Sequence, residues 1–324
     1  ISIKCVSTPL MVCVHGVKVT SYGGIHASLT PVQISIQDTE PKNVLWCIPM
    51  FKRELLIDRL RPLQDKEMAE FKNKIDYNLP INYDQFMELF QNRLISQTSN
   101  QLKGFDAFPH RHVQTGVDQY IQTLVMLHGI DGLSIFEHDY YWYKMVYPNI
   151  KFSTWDTLTP ERPVLMAMPF PGYLDEHPYL QCILDICDQR GIDVHLDCAW
   201  LPSAFGMEFD FDRPCIKSFA MSLSKCYSLD WARVGMRWSR ETQNNDPITY
   251  DHGRGLMNQV AVSIGYQYLK QFPIDHLIHK HRDNYMAMCK ELWLRPSKII
   301  HAVHSLDRTK LYGCRDVLED ALMR

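Results

Sequence analysis

What this 324-residue chain lacks narrows it first. It has no excess of charge of one sign: 34 Lys and Arg against 37 Asp and Glu leave −3, which suggests neither nucleic acid nor an anionic membrane as a partner. No apolar run approaches bilayer-spanning length, and no N-terminal stretch reads as a secretory signal. No Cys-x-x-Cys occurs, which argues against a zinc ribbon or a thioredoxin-like site. Internal repeats and low-complexity tracts are missing as well, so solenoid and array architectures drop out. The chain opens on Ile1 rather than Met, and native residues are expected ahead of it.

What is present is ordinary globular composition, 46% hydrophobic and 22% charged, in a length that suits one large domain and a smaller one. The ten cysteines are scattered, several inside apolar segments such as "YLQCILDIC", so they form no disulfide framework and imply a reducing, cytoplasmic compartment. His276, His279 and His281 in "HLIHKH" are the nearest thing to a metal cluster. No acidic or thiolate partner follows at ligand spacing, so they read as solvated helix histidines, and no metal site is expected.

The pattern divides the chain into three. Residues 1–80 are an N-terminal extension, alternating and β-rich for about 60 residues, then weakly helical up to Pro80. Residues 81–250 alternate helices with short buried strands: the helix "GVDQYIQTLVMLHG", the strands "LSIFEH" and "VLMAMP", the helix "HPYLQCILDICDQRG", then "IDVHLD", "KSFAMSLS" and "RVGMRW". That order predicts an α/β domain on a mostly parallel sheet with helices on both faces. Residues 251–324 read as two long helices, about 254–272 and 275–294, and a short mixed tail.

Sheets of this kind bind ligands beyond the carboxyl ends of their strands. Asp197 ends one strand there, and Lys225 follows another in "SLSKCYSLDWARVG". A lysine doing covalent chemistry needs a carbonyl partner. Pyridoxal phosphate supplies one, and it demands a carboxylate for its ring nitrogen, donors for its phosphate and an aromatic lid. Asp197 suits the first demand. Ser222, Arg233 and the helix-opening Thr115–Gly116–Val117 suit the second. Tyr141, in "EHDYYWY", suits the third.

These residues resemble a known family. "DCAW" is similar to Asp-x-Ala-Tyr, "SLSKCYSLDWARVG" to Ser-x-Ser-Lys followed by Arg-x-Gly, and "PFPG" stands where Asn-Pro-x-Gly is usual. All are motifs of the fold type I pyridoxal-phosphate enzymes, the aspartate aminotransferase superfamily. The resemblance runs from about residue 110 to 270. It implies pyridoxal 5′-phosphate held as an aldimine on Lys225, with Asp197 on the pyridine nitrogen. It further implies Ser222, Arg233 and residues 115–117 on the phosphate, and Tyr141 stacked on the ring. Trp200 replaces the family's tyrosine, and Pro169 its asparagine, at the cofactor's phenolic oxygen. Only about 100 residues follow Lys225, which implies a reduced C-terminal small domain, with Arg308 and Arg315 as candidates for a substrate carboxylate.

The implied function is an aminotransferase acting on a small amino-acid or amine substrate. A lyase, decarboxylase or cyclase using the same cofactor is the alternative. A Ser-x-x-Lys acyltransferase or hydrolase, built on Ser222 and Lys225, is the remote one, because its companion motifs are missing. A homodimer is expected, with "GFDAFPHRH" as its candidate contact.

Overall fold

A computed structural model supplies the three-dimensional structure, and it describes residues 50–148, 150–242 and 245–323. The strands expected in the first 49 residues lie outside the described ones. Two short helices open the described chain, α1 (Lys66–Phe71) and α2 (Tyr83–Ser96). Asp65 caps α1 by accepting from the amides of Glu67 and Met68, and Asn82 and Gln85 form a capping box on α2.

The central sheet runs in the order β2 (His110–Gln114), β7 (Gly235–Ser239), β6 (Ile216–Ser222), β4 (Val194–Asp197), β3 (Val164–Ala167). The β3–β4 and β4–β6 pairs are parallel, while β7 is antiparallel to both β6 and β2. Four strands therefore share one direction and β7 alone opposes them, so the sheet is mostly parallel. A separate two-stranded ladder pairs β1 (Gln101–Lys103) with β5 (Glu208–Asp210).

Side-chain alternation sorts the two faces. Phe219 and Trp238 are register partners and stack at 5.0 Å on one side, where Phe90 of α2 meets the Trp238 ring edge at 5.8 Å. Trp238 also donates its indole N–H to Gln91 at 2.9 Å, so its single polar atom is satisfied. Burying an aromatic of this size contributes roughly 1.5–3 kcal/mol. On the opposite face α3 (Gly116–His128) lies across the sheet, its Tyr120 hydroxyl 2.8 Å from Ser218. Helices thus cover both faces.

Two readings of secondary structure are corrected. "LSIFEH" is no strand: only isolated bridges form, Ser134 to Val164 and Phe136 to Ser153, and His138 turns the chain away at a φ of 66°. Around residues 254–272 there is a break. α6 (Pro247–Gly253) ends at a turn in which Gly255 takes a φ of 69°, and Asn258 caps the new α7 (Gln259–Gln271). The expected helix α5 (Leu180–Arg190) closes on Gly191, and a short helix not expected from the sequence, α4 (Trp142–Val146), follows the site loop.

After α8 (His276–Glu291) come three short antiparallel strands, ordered β10-β9-β8: β8 (Leu294–Pro296), β9 (Ala302–Ser305) and β10 (Leu311–Gly313). α9 (Arg315–Met323) ends the chain. Residues 57–65 run against this C-terminal part. Ile57 bridges Gly313, and Asp65 meets Lys280 at 2.8 Å and His281 at 2.9 Å. This corrects the reading of the histidine cluster. His281 is buried, and the acidic partner precedes the cluster by about two hundred residues, out of reach of any local spacing rule. Asp65, Glu67 and His276 could together face a metal, but the Lys280 ammonium already pairs with both carboxylates, at 2.8 and 3.3 Å. Burial alone would raise the Asp65 carboxyl, yet the bonds from His276, His281 and Lys280 hold it far below the usual carboxylate range. Among the described residues no helix is long and apolar enough to cross a membrane.

Candidate active site

The carboxyl ends of β3 and β4 converge with the start of α3 on one small pocket. Val117 and Asp118 come from α3, Ala167 from β3, Asp197 from the last position of β4, and Trp200 and Tyr140 from flanking loops. Local geometry puts them there. β4 is buried along its length and must stop where its chain reaches the pocket, so its terminal carboxylate faces inward.

Lys225 follows the buried strand β6 and the turn at Leu223–Ser224. Its ammonium lies 4.8 Å from the centroid of the Trp200 ring. Burial lowers its pKa from the ordinary lysine value, while Asp230, Asp118 and Asp197 pull the other way. A lysine so placed holds its proton less tightly than one at the surface, as a carbonyl-capturing amine requires.

Asp197 is buried, and burial raises its carboxyl to about 6. One hydrogen bond supports it, from the Ala199 amide at 2.9 Å. The buried Tyr143 hydroxyl lies nearby without a hydrogen bond of normal geometry. Asp197 is thus a carboxylate without a cationic hydrogen-bond partner, and it stands at the pocket wall.

Two of the phosphate candidates, Gly116 and Arg233, meet at the start of α3. Gly116 takes a φ of 65°, and its Cα faces the Arg233 guanidinium: a Cβ built there would lie 3.6 Å from Nη2. Thr115 makes no side-chain cap; its amide donates instead to Gln119 at 2.7 Å. Ser222, at the end of β6, is buried beside Gly235 on β7. A Cβ at Gly235 would come within 2.5 Å of the Met221 carbonyl oxygen, so only glycine allows this approach. Arg233 ion-pairs with Asp118.

Tyr141, the expected ring partner, is 66% exposed and does not line this pocket, whereas its neighbour Tyr140 does. Two adjacent tyrosines cannot be told apart by pattern, and the turn at His138 decides which one faces inward. Sequence reasoning also missed Asp139. This buried carboxylate accepts from the amides of Tyr140 at 2.6 Å and Ala167 at 3.2 Å, tying the lid to the end of β3. Burial, with Asp197 nearby, raises its carboxyl to about 8.

His301 was missed as well. It is fully buried at 0% exposure, and its ring lies 5.6 Å from that of Trp200. Its Nδ1 accepts from the Leu63 amide at 2.9 Å, and Ser228 donates to the Leu63 carbonyl at 2.6 Å. Residue 63 therefore braces both the Trp200 side and the Lys225 loop. Burial, together with the Lys225 charge, lowers His301 to about 3 and keeps it neutral.

Pro169 does not line the pocket; Pro171, two residues on, does. Arg315 is bound to Asp316 at 2.9 Å, so its guanidinium is engaged. Arg308 lines a different cleft, with Arg295, His304 and Glu176. The aromatic rings of "GFDAFPHRH" are core: Phe105 and Phe108 are buried, and both pack on Phe219. That loop offers no exposed aromatic patch for a partner.

This chain has the fold of the fold type I pyridoxal-phosphate enzymes. It is similar to the tyrosine aminotransferase from Leishmania infantum, 14% identical with a TM-score of 0.54, over 74% of this chain and 78% of that one. It is similar to a PLP-bound putative aminotransferase from Clostridium difficile 630, 11% identical with a TM-score of 0.55, over 82% and 89%. The PLP-bound C-S lyase from Staphylococcus hominis is comparable, 10% identical with a TM-score of 0.54, over 82% and 88%. No family model and no curated protein matches the chain.

Proposed function

We propose that this chain is a pyridoxal-phosphate-dependent enzyme of amino-acid or amine chemistry, with Lys225 as its covalent group and amino transfer as its reaction. The observation that carries this reading is the placement of two groups: Lys225, partly buried and with its pKa lowered, over Trp200, and Asp197, a buried carboxylate with one backbone donor, at the neighbouring strand end.

The residues fit the cofactor. Asp197 is a buried acceptor that a protonated ring nitrogen would complete, and such a partner would restore its charge at neutral pH. Arg233, which faces Gly116, and the first amides of α3 would form an anion cradle, with Ser222 as a further donor. Tyr140, Ala167 and Trp200 offer apolar walls. When bound, the cofactor supplies the electron sink. Lys225 would hold it, then take and return the proton at the substrate's α-carbon from its place above Trp200. Asp197 would keep the ring nitrogen protonated, and Asp139 would hold Tyr140 in place as the lid.

In domain terms, residues 81–250 would form the cofactor-binding part and 251–324 a reduced small domain. A homodimer remains part of the proposal, and light scattering of the holoprotein tests it. Stoichiometric conversion of bound cofactor to pyridoxamine phosphate by one amino acid supports amino transfer. Release of ammonia and an oxoacid without that conversion would favour a lyase, the reaction named for the Staphylococcus hominis neighbour.

A further inference from the structure

The cradle that would take the cofactor's phosphate already contains an anion belonging to the chain. Asp118, in the first turn of α3, ion-pairs with Arg233, the guanidinium that faces Gly116. The same carboxylate lines the pocket with Asp197, Trp200 and Tyr140. Both partners of the pair are partly exposed, 38% for Asp118 and 44% for Arg233, so the pair is open to exchange rather than locked in a core.

A phosphate at this helix start would find its guanidinium engaged and a like charge beside it. Placing both anions together is costly unless one moves or takes up a proton. Arg233 cannot give up its own charge, so the competition is settled by which anion holds the guanidinium.

We propose that Asp118 competes with a ligand's phosphate for Arg233, so that this chain binds phosphorylated ring ligands more weakly than its cradle would otherwise permit. The inference rests on the cofactor reading above, and it assigns Asp118 the role of setting the preference for phosphate. Displacing Asp118 would return a negative charge to the pocket beside Asp197 and Lys225. Occupation of the cradle would thereby be felt at both.

The test uses pyridoxine 5′-phosphate and pyridoxine, neither of which has a carbonyl to react with Lys225. Their affinity ratio for the full chain reads the phosphate preference alone. Asp118→Asn keeps the shape and one acceptor for Arg233 but removes the charge. The ratio should rise about tenfold, the scale of an exposed ion pair together with one like-charge contact. The gain should shrink at high salt, because the groups are exposed. Thermal stability should fall slightly, since an acidic residue favours a helix start. A purely structural role would lower stability and affinity together. An unchanged or reduced ratio in Asp118→Asn overturns the proposal, as does the absence of any phosphate preference in both proteins. The cofactor reading fails separately, if borohydride after incubation with pyridoxal phosphate leaves Lys225 unlabelled.

Discussion

The Lys225 ammonium sits 4.8 Å above the face of the Trp200 ring, with His301 packed on the same indole. An aromatic face attracts a cation while excluding the water that would otherwise solvate it. Here exclusion wins, since burial is the largest influence on Lys225 and lowers its pKa. Trp200→Ala should admit water and raise that pKa. Trp200→Phe should preserve it more closely. The pH dependence of pyridoxal capture, followed by absorbance, would separate them, and identical profiles for all three proteins would refute the assignment. Peptide mapping after borohydride should place the label on Lys225.

Asp197→Ala should retain the cofactor but lose on the order of a hundredfold or more in turnover, because the ring nitrogen loses the group that keeps it protonated. Arg233→Gln should act on retention instead, weakening phosphate-bearing ligands by about tenfold or more through loss of charge-assisted hydrogen bonds. Equilibrium dialysis and steady-state rates distinguish the two. Wild-type turnover in Asp197→Ala would remove that residue from the site.

Asp139 gives the apoprotein a pH dependence with a definite sign. Its folded pKa is raised to about 8 from an ordinary 3.8. Between those values the unfolded chain has released this proton while the folded chain keeps it. Stability should therefore fall as pH rises through that window and level off above about 8. Asp139→Asn should flatten the fall, at a cost of about 1 kcal/mol for one lost backbone hydrogen bond. Urea titrations at several pH values would show it, and equal slopes in both proteins would mean that another group is responsible.

His301→Leu should destabilise the fold by about 1–3 kcal/mol, since the Leu63 amide would be left buried without its acceptor. Urea unfolding reads this directly. His301→Asn retains a possible acceptor and should recover part of the loss. A variant as stable as the parent would show that residue 63 needs no brace.

Much of this protein was legible before any coordinates. Local rules suffice for α3, which has apolar residues at helical spacing and closes on Gly129, and for β4 and β6, whose buried runs place Asp197 and Lys225 at their ends. The short-range spacing from Ser222 through Lys225 to Arg233 and Gly235 carried the rest, because one turn and one strand pairing bring these residues together. What the tertiary structure alone decided involves choices between equivalent neighbours or partners remote in the chain. Tyr140 rather than Tyr141 faces the pocket because His138 redirects the backbone, and nothing in "DYY" ranks the two. Asp65 meets His281, and Leu63 meets His301, across more than two hundred residues. Asp118 reads as a favourable helix-start residue by sequence. Only when β6 and the turn after it carry Arg233 over Gly116 does it become an anion inside the cradle.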